Sequence, residues 1–196
     1  MRNAEATIQH IVEKASVLFN TKGYAGTSIN DIMEETGLKK GGIYRHFESK
    51  EMLAAIAFRY SYQKLKAAYL STFTKGQPAD QKLYQFLDTF CHFLAHPPVE
   101  GGCPILNTAT EVDDTNLPLR EEVMKAAKDW EQSVASVYRD GKEKGIFKPS
   151  TDPEAEARIM LVSIEGAILL AKLHKDMSYT TPVIESLRQR IQNLRS

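Results

Sequence analysis

An all-α fold is what this sequence predicts: an N-terminal three-helix domain containing a helix-turn-helix over residues 1–48, then a six-helix domain over residues 49–196. Three observations carry it. Apolar residues recur at three- and four-residue spacing, with no convincing strand alternation, internal repeat or low-complexity run. Glycines and prolines fall between those periodic runs, where they end helices. The stretch from Pro153 to Lys175 is apolar around nearly its whole circumference, a pattern that suits a helix buried on more than one side.

The elements follow in chain order. Ile11, Ala15 and Phe19 mark the apolar face of a first helix. Thr27 and Ser28 offer hydroxyls to cap the next, and Ser28 with Asp31 has the spacing at which an acidic side chain supports the first turn. Ile29, Ile32 and Met33 give this second helix its apolar face. Gly37 falls where a left-handed residue ends it, Leu38 can tuck beneath the turn, and a third helix opens at Lys39 with Ile43 and Phe47 pointing inward at i,i+4. Ser49 can cap a long helix running to about Phe73, which Lys75, Gly76 and Pro78 bring to an end. A helix from about Ala79 to His96 stops at Pro97 and Pro98, and the EGGCP stretch is a loop. A short helix from Pro104 to about Val112 comes next, then a long one from Leu117 to Lys144 before Gly145. Asp152 caps a helix from Pro153 to about Lys175, with the proline in its first turn, and Pro182 to Leu194 forms the last.

Charge is distributed unevenly. From Gly37 to Lys66 the cations are Lys39, Lys40, Arg45, Lys50, Arg59, Lys64 and Lys66, opposed only by Glu48 and Glu51, in a chain of formal net charge +0. A local cationic surplus beside a helix-turn-helix suits the phosphate backbone of duplex DNA. Lys40 and Tyr44 share an outward face. Gly41 and Gly42 each cost a helix about 1 kcal/mol relative to alanine, a cost that close approach to a DNA groove explains. Lys50 and the backbone N–H groups behind Ser49 stand at the positive end of the following helix, where a phosphate oxygen would be held.

The run KGYAGTSINDIMEETGLKKGGIYRHFESKEML, with GLKKGGIYRHFESK as its most specific part, resembles the TetR/AcrR-type bacterial transcriptional regulators over about the first quarter of the chain. The resemblance implies a three-helix DNA-binding domain, an all-helical effector-binding domain and a homodimer, with nine helices in all. It assigns phosphate or groove contacts to Thr27 or Ser28, Lys40, Tyr44, His46 and Lys50, and base-edge reading to the helix beginning near Lys39. Gly42 and Arg45 belong to the same expected DNA surface. Lys39 stands where the family commonly has a small hydroxyl residue, and Gly42 where it often has threonine, serine or alanine, so the operator sequence does not carry over. The segment GGCPILNTATE, Gly101 to Glu111, resembles a motif seen in a subset of these regulators before the short helix between pocket and DNA-binding domain, a placement that suits a relay.

Two further surfaces are expected. Val162, Ser163, Gly166, Ala167 and Leu170, with Val183, Leu187 and Ile191 of the last helix, are the candidate dimer interface, of the four-helix kind; a central core helix of a monomer would show the same periodicity. Aromatic surface is plentiful between the two ends, and Tyr62, Leu65, Tyr69, Phe90, Trp130 and Tyr138, with Asn107 and Glu111 as polar contacts, are the candidate effector-binding residues. Aromatic side chains at helical spacing also fill solid cores, so the same set fits either a cavity or a packed interior.

Other classes are poorly supported. The longest strongly apolar stretch, around Ala167 to Ala171, falls far short of the roughly 20 residues a bilayer needs, and the first residues lack a signal-peptide apolar region, so no membrane partner and a cytoplasmic location are expected. Cys91 and Cys103 lack the paired spacing of a zinc site, and His92 with His96 has no evident third ligand, so neither a metal nor another cofactor is expected. Cys103 reads as a packing residue rather than a redox sensor. Enzyme chemistry from His92, Cys91 or Cys103 with Glu111, Asp113 and Asp114 lacks a nucleophile elbow, a phosphate-cradling loop or a metal signature. The expected function is a homodimeric, ligand-responsive transcriptional repressor that binds a palindromic double-stranded DNA operator and is released by a small, largely apolar effector. The alternative is a helix-turn-helix DNA binder without an effector.

Overall fold

Helix-ending residues and caps divide the chain into nine α-helices among the residues that the computed structural model describes, 2–112 and 117–196. They are α1 (Arg2–Lys22), α2 (Ile29–Thr36), α3 (Lys40–Tyr44), α4 (Lys50–Leu70), α5 (Ala79–Ala95), α6 (Pro104–Val112), α7 (Leu117–Glu143), α8 (Pro153–His174) and α9 (Thr181–Leu194), with a 3₁₀ turn at Met177–Tyr179. No strand occurs among the described residues; Phe147 and Arg195 form only an isolated bridge. The helix bounds agree with the sequence reading to within a few residues. The largest difference is α4, which stops at Leu70 rather than near Phe73, because the amides of Thr72 and Phe73 turn back to the carbonyls of Tyr69 and Leu70.

Two compact units emerge: residues 1–68 with 97–127, and residues 69–96 with 128–196. In the first, the apolar face of α1 meets α2, α3 and the start of α4. Ile11, Ile32 and Leu53 are fully buried, and Ile43 and Phe47 lie inward as their i,i+4 spacing predicts. Ile29, Met33 and Leu38 pack against this core with partial exposure.

In the second unit the aromatic residues interlock. Tyr69 stacks on Phe86 at 4.9 Å between ring centroids and meets Trp130 edge-on at 4.8 Å and Phe93 edge-on at 5.0 Å. Near the end of α7, Gly141 admits a fully buried Phe147. A Cβ at that glycine would stand 2.4 Å from the ring and 2.8 Å from Ala79 Cβ. Glu156 of α8 is buried and accepts from Arg190 Nη2 of α9 at 2.9 Å, so the charge taken out of water has its partner beside it. Asp152 caps α8 through hydrogen bonds from the amides of Glu154 and Ala155, with Pro153 at the first position.

Candidate nucleic-acid interface

The helix-turn-helix is built from local rules. Ser28 and Asp31 form a complete capping box: the Asp31 amide donates to the Ser28 hydroxyl at 3.1 Å, and the Ser28 amide donates to Asp31 Oδ2 at 2.8 Å. Lys22 donates to Asp31 Oδ1 at 2.7 Å, and this bond, with those from Ser28, holds the Asp31 carboxyl well below the usual carboxylate range. Gly37 ends α2 at φ 71°, its amide returning to Met33 O. His10 Nε2 lies 3.1 Å from Thr36 O, and Lys14 pairs with Glu35 at 2.8 Å, so α1 braces both the turn and the outer side of α2.

On that brace stands α3, a five-residue helix with Lys39 as an extended N-cap that makes no side-chain capping bond. Ile43 anchors it inward. Lys39, Lys40, Gly41, Tyr44 and Arg45 are exposed, and Gly42 and His46 are half-buried. Lys40 Nζ sits 5.8 Å from the Tyr44 ring centroid, as expected of a shared face. A Cβ on Gly41 would meet nothing within 4 Å, and one on Gly42 would meet only Leu38 at ordinary contact distance. Packing within the chain therefore demands glycine at neither position.

Two expected contacts have other employment. Thr27 is fully buried, and its hydroxyl donates to Gly23 O at 2.7 Å and Leu18 O at 3.2 Å; it closes the α1–α2 turn, leaving Ser28 as the exposed member of the pair. Lys50 donates to Tyr24 O at 2.7 Å and lies 4.2 Å from the centroid of that ring. An ammonium has three N–H donors, so one such bond leaves two for a phosphate. Tyr24, unmarked in the sequence reading, donates its hydroxyl to Glu51 at 2.7 Å; burial and that carboxylate push its phenol up to about 12.

The residues expected at an effector are distributed over both units. Tyr62 and Leu65 are buried in the first, and Tyr69, Phe90, Trp130 and Tyr138 in the second. Tyr69 and Trp130 do come together. Tyr138 packs 5.4 Å from Phe147, and burial pushes its phenol well above the ordinary range. Asn107 and Glu111 face the end of α1: Asn107 Nδ2 donates to Asn20 O at 3.1 Å and Gly101 O at 2.9 Å, and Glu111 accepts from the amides of Tyr24 and Ala25. Backbone groups at a helix end need partners, and these two side chains supply them.

In the single chain the residues of the expected interface divide by burial. Ala167, Leu187 and Ile191 are buried inside the second unit, because α9 packs on α5 and α8 and takes up those positions. Val162 and Leu170 are exposed at 68% and 42%, Gly166 is open, and Ser163 and Val183, with an edge of Leu187, line a groove of about 340 Å³ between the two helices. Ile159, Leu169 and Leu173, absent from the expected set, extend the exposed apolar stripe.

Among the described residues no group of three or more His, Cys, Asp or Glu side chains is placed to hold a metal ion, and Asp113 and Asp114 lie outside the described residues. No described helix is long and apolar enough to cross a membrane.

Residues 11–56 match the family of bacterial regulatory proteins called tetR, and residues 79–187 match the tetracyclin repressor-like C-terminal domain. The chain belongs to the TetR family. A TetR transcriptional regulator from Chloroflexus aurantiacus J-10-FL is similar over 100% of this chain and 98% of its own, at 38% identity and a TM-score of 0.93. The HTH-type transcriptional regulator LmrA of Bacillus subtilis is 30% identical over 90% of each chain. The HTH-type transcriptional repressor DhaR of Mycobacterium sp. (strain GP1) is 27% identical over 95% of this chain and 94% of its own. As a TetR-family protein the chain is a DNA-binding transcriptional regulator, and not an enzyme.

Proposed function

We propose that this TetR-family regulator acts as a homodimeric repressor that binds a palindromic operator and leaves it when a small, largely apolar effector binds. In this division of labour residues 1–48 read DNA, and residues 49–196 hold the effector and the dimer interface. The observation that carries the reading is the pairing of two exposed surfaces with opposite chemistry. One is the cationic α3 face of Lys39, Lys40, Tyr44 and Arg45; the other is the apolar α8 stripe of Ile159, Val162, Leu169, Leu170 and Leu173. A two-fold dimer with recognition helices about 34 to 36 Å apart would meet successive major grooves of a palindrome. Ser28, Lys40, Tyr44, His46 and Lys50 are the assigned backbone or groove contacts, and Lys39 is assigned to base reading.

Interlocked packing of Tyr69, Phe86, Phe93 and Trp130 favours a second reading, in which the aromatic residues are core and no small molecule regulates the protein. Linkage separates the two. An effector that weakens operator binding must itself bind operator-bound protein more weakly by the same factor, and a coupling of about 1 to 3 kcal/mol is a typical regulatory range. Genomic footprinting with the purified protein identifies the operator, and a compound screen for release of that fragment identifies the effector. Effectors that bind without changing operator affinity would support the second reading; failure to protect any genomic site would reject both.

A further inference from the structure

Glu111, on the last turn of α6, accepts hydrogen bonds from the amides of Tyr24 and Ala25, each at 3.1 Å. These amides follow Gly23, whose φ of +80° turns the chain out of α1. Successive N–H groups after such a turn make an anion-binding concavity, and here the anion is a side chain of the same protein. The fit is close: a Cβ on Gly23 would stand 2.4 Å from Glu111 Oε1. One turn earlier on α6, Asn107 donates to Asn20 O, while Asn20 donates to Glu100 O at 2.6 Å and Gly102 O at 3.0 Å. The segment before α6 and α6 itself therefore grip the end of α1 at two levels.

On the other side of the same peptide stands α4. Lys50 holds Tyr24 O and covers its ring, and Glu51 accepts the Tyr24 hydroxyl. Tyr24 is thus held by α6 through its amide and by α4 through its carbonyl, ring and hydroxyl. A carboxylate suits the α6 side because it has two accepting oxygens and no donor, whereas glutamine would set an NH₂ against one of the two amides.

We propose that Glu111 is a positioning residue for DNA binding: by fixing the Tyr24–Ala25 turn it sets where Lys50 stands, and so makes DNA affinity depend on α6. This rests on the reading of Lys50 as a phosphate contact. Glu111 acts without touching DNA, and its loss is felt through a lysine that belongs to a different helix.

The test uses the full chain and a labelled duplex carrying the footprinted site, with dissociation constants measured by anisotropy at fixed salt for wild type, Glu111→Gln, Lys50→Ala and the double variant. Glu111→Gln is expected to weaken binding about tenfold, which corresponds to about 1.4 kcal/mol. In the Lys50→Ala background the same change should cost less than about twofold. Amide hydrogen exchange supplies a readout independent of DNA: Tyr24 and Ala25 should exchange faster in Glu111→Gln while the Ile32 amide in the core is unchanged. Equal losses in both backgrounds would mean that Glu111 does not act through Lys50, and unchanged amide exchange would mean that it does not hold the turn; either overturns the proposal. Wild type that binds no duplex would instead reject the regulator reading, while the exchange result would still decide whether Glu111 holds the turn.

Discussion

Replacing Val162 with glutamate probes the apolar α8 stripe at its least protected large residue near the helix centre. Val162 is 68% exposed in the single chain, so most of its apolar surface is open to the proposed partner. Fully burying a valine side chain is worth about 1.5 to 3 kcal/mol, and the uncovered two thirds therefore about 1 to 2 kcal/mol. In the proposed two-fold dimer the residue would enter the interface twice, which doubles the loss to about 2 to 4 kcal/mol before any cost of burying the new carboxylate. The dimer dissociation constant should rise by a factor of roughly 30 to 1000. Glutamate is a better helix former than valine, and the position is open in the single chain, so the fold of the subunit should survive. Sedimentation equilibrium over a concentration series measures the constant, and circular dichroism melting of the monomer controls for folding. A dimer as tight as wild type would place the α8 stripe outside the interface and remove the argument for a two-headed reader.

Other expectations follow from single features. Lys50→Ala should weaken binding to all duplex sequences and lower the slope of log affinity against log salt by about 1, because one phosphate contact goes; a salt titration on operator and random duplexes checks this, and an unchanged slope would remove Lys50 from the DNA surface. Gly141→Ala gains about 1 kcal/mol in helix propensity, but its methyl meets the fully buried Phe147 ring at 2.4 Å, and overpacking of this kind costs about 1 to 3 kcal/mol. The net result should be a melting temperature lower by a few degrees, and a rise would show that the ring yields freely. The Asp31 carboxyl is depressed by its bonds from Lys22 and Ser28, so its contribution to stability is present above the unfolded value of about 3.9 and is lost as pH falls through the lower folded value. A carbon-detected NMR titration should find Asp31 still ionised at pH 3, and an ordinary midpoint would mean that the Lys22 bond is absent in solution.

Much of the fold was legible because its boundaries are written in residue types with one mechanical meaning. Ser28 and Asp31 start α2, Gly37 stops it, Pro153 after Asp152 opens α8, and each does so in the structure. Legibility failed where the signal was not periodic. Glu111 looked like a polar contact among aromatic residues, yet its partners are two backbone amides far away in sequence, and amides carry no residue code. The clue available was Gly23 at the end of a helix, since a left-handed residue there exposes amides that require an acceptor. On α8 the difficulty was the reverse. A helix apolar all round has no contrast between faces, so Ala167 inside and Val162 outside could not be told apart until α9 was seen covering one of them.

The first unit draws on two separated lengths of chain, and this has a consequence for synthesis. Residues 1–68 cannot complete their packing until residues 97–127 exist, because the Asn20 side chain and the amides of Tyr24 and Ala25 find acceptors there. At about 5 to 20 residues per second, a ribosome needs roughly 3 to 12 s to pass from the end of one stretch to the end of the other. For that interval the nascent helix-turn-helix has its own small core but an unfinished α1–α2 turn. The helix-turn-helix is thus completed not by its own neighbours in sequence but by the segment that follows α5, after its three helices have already left the ribosome.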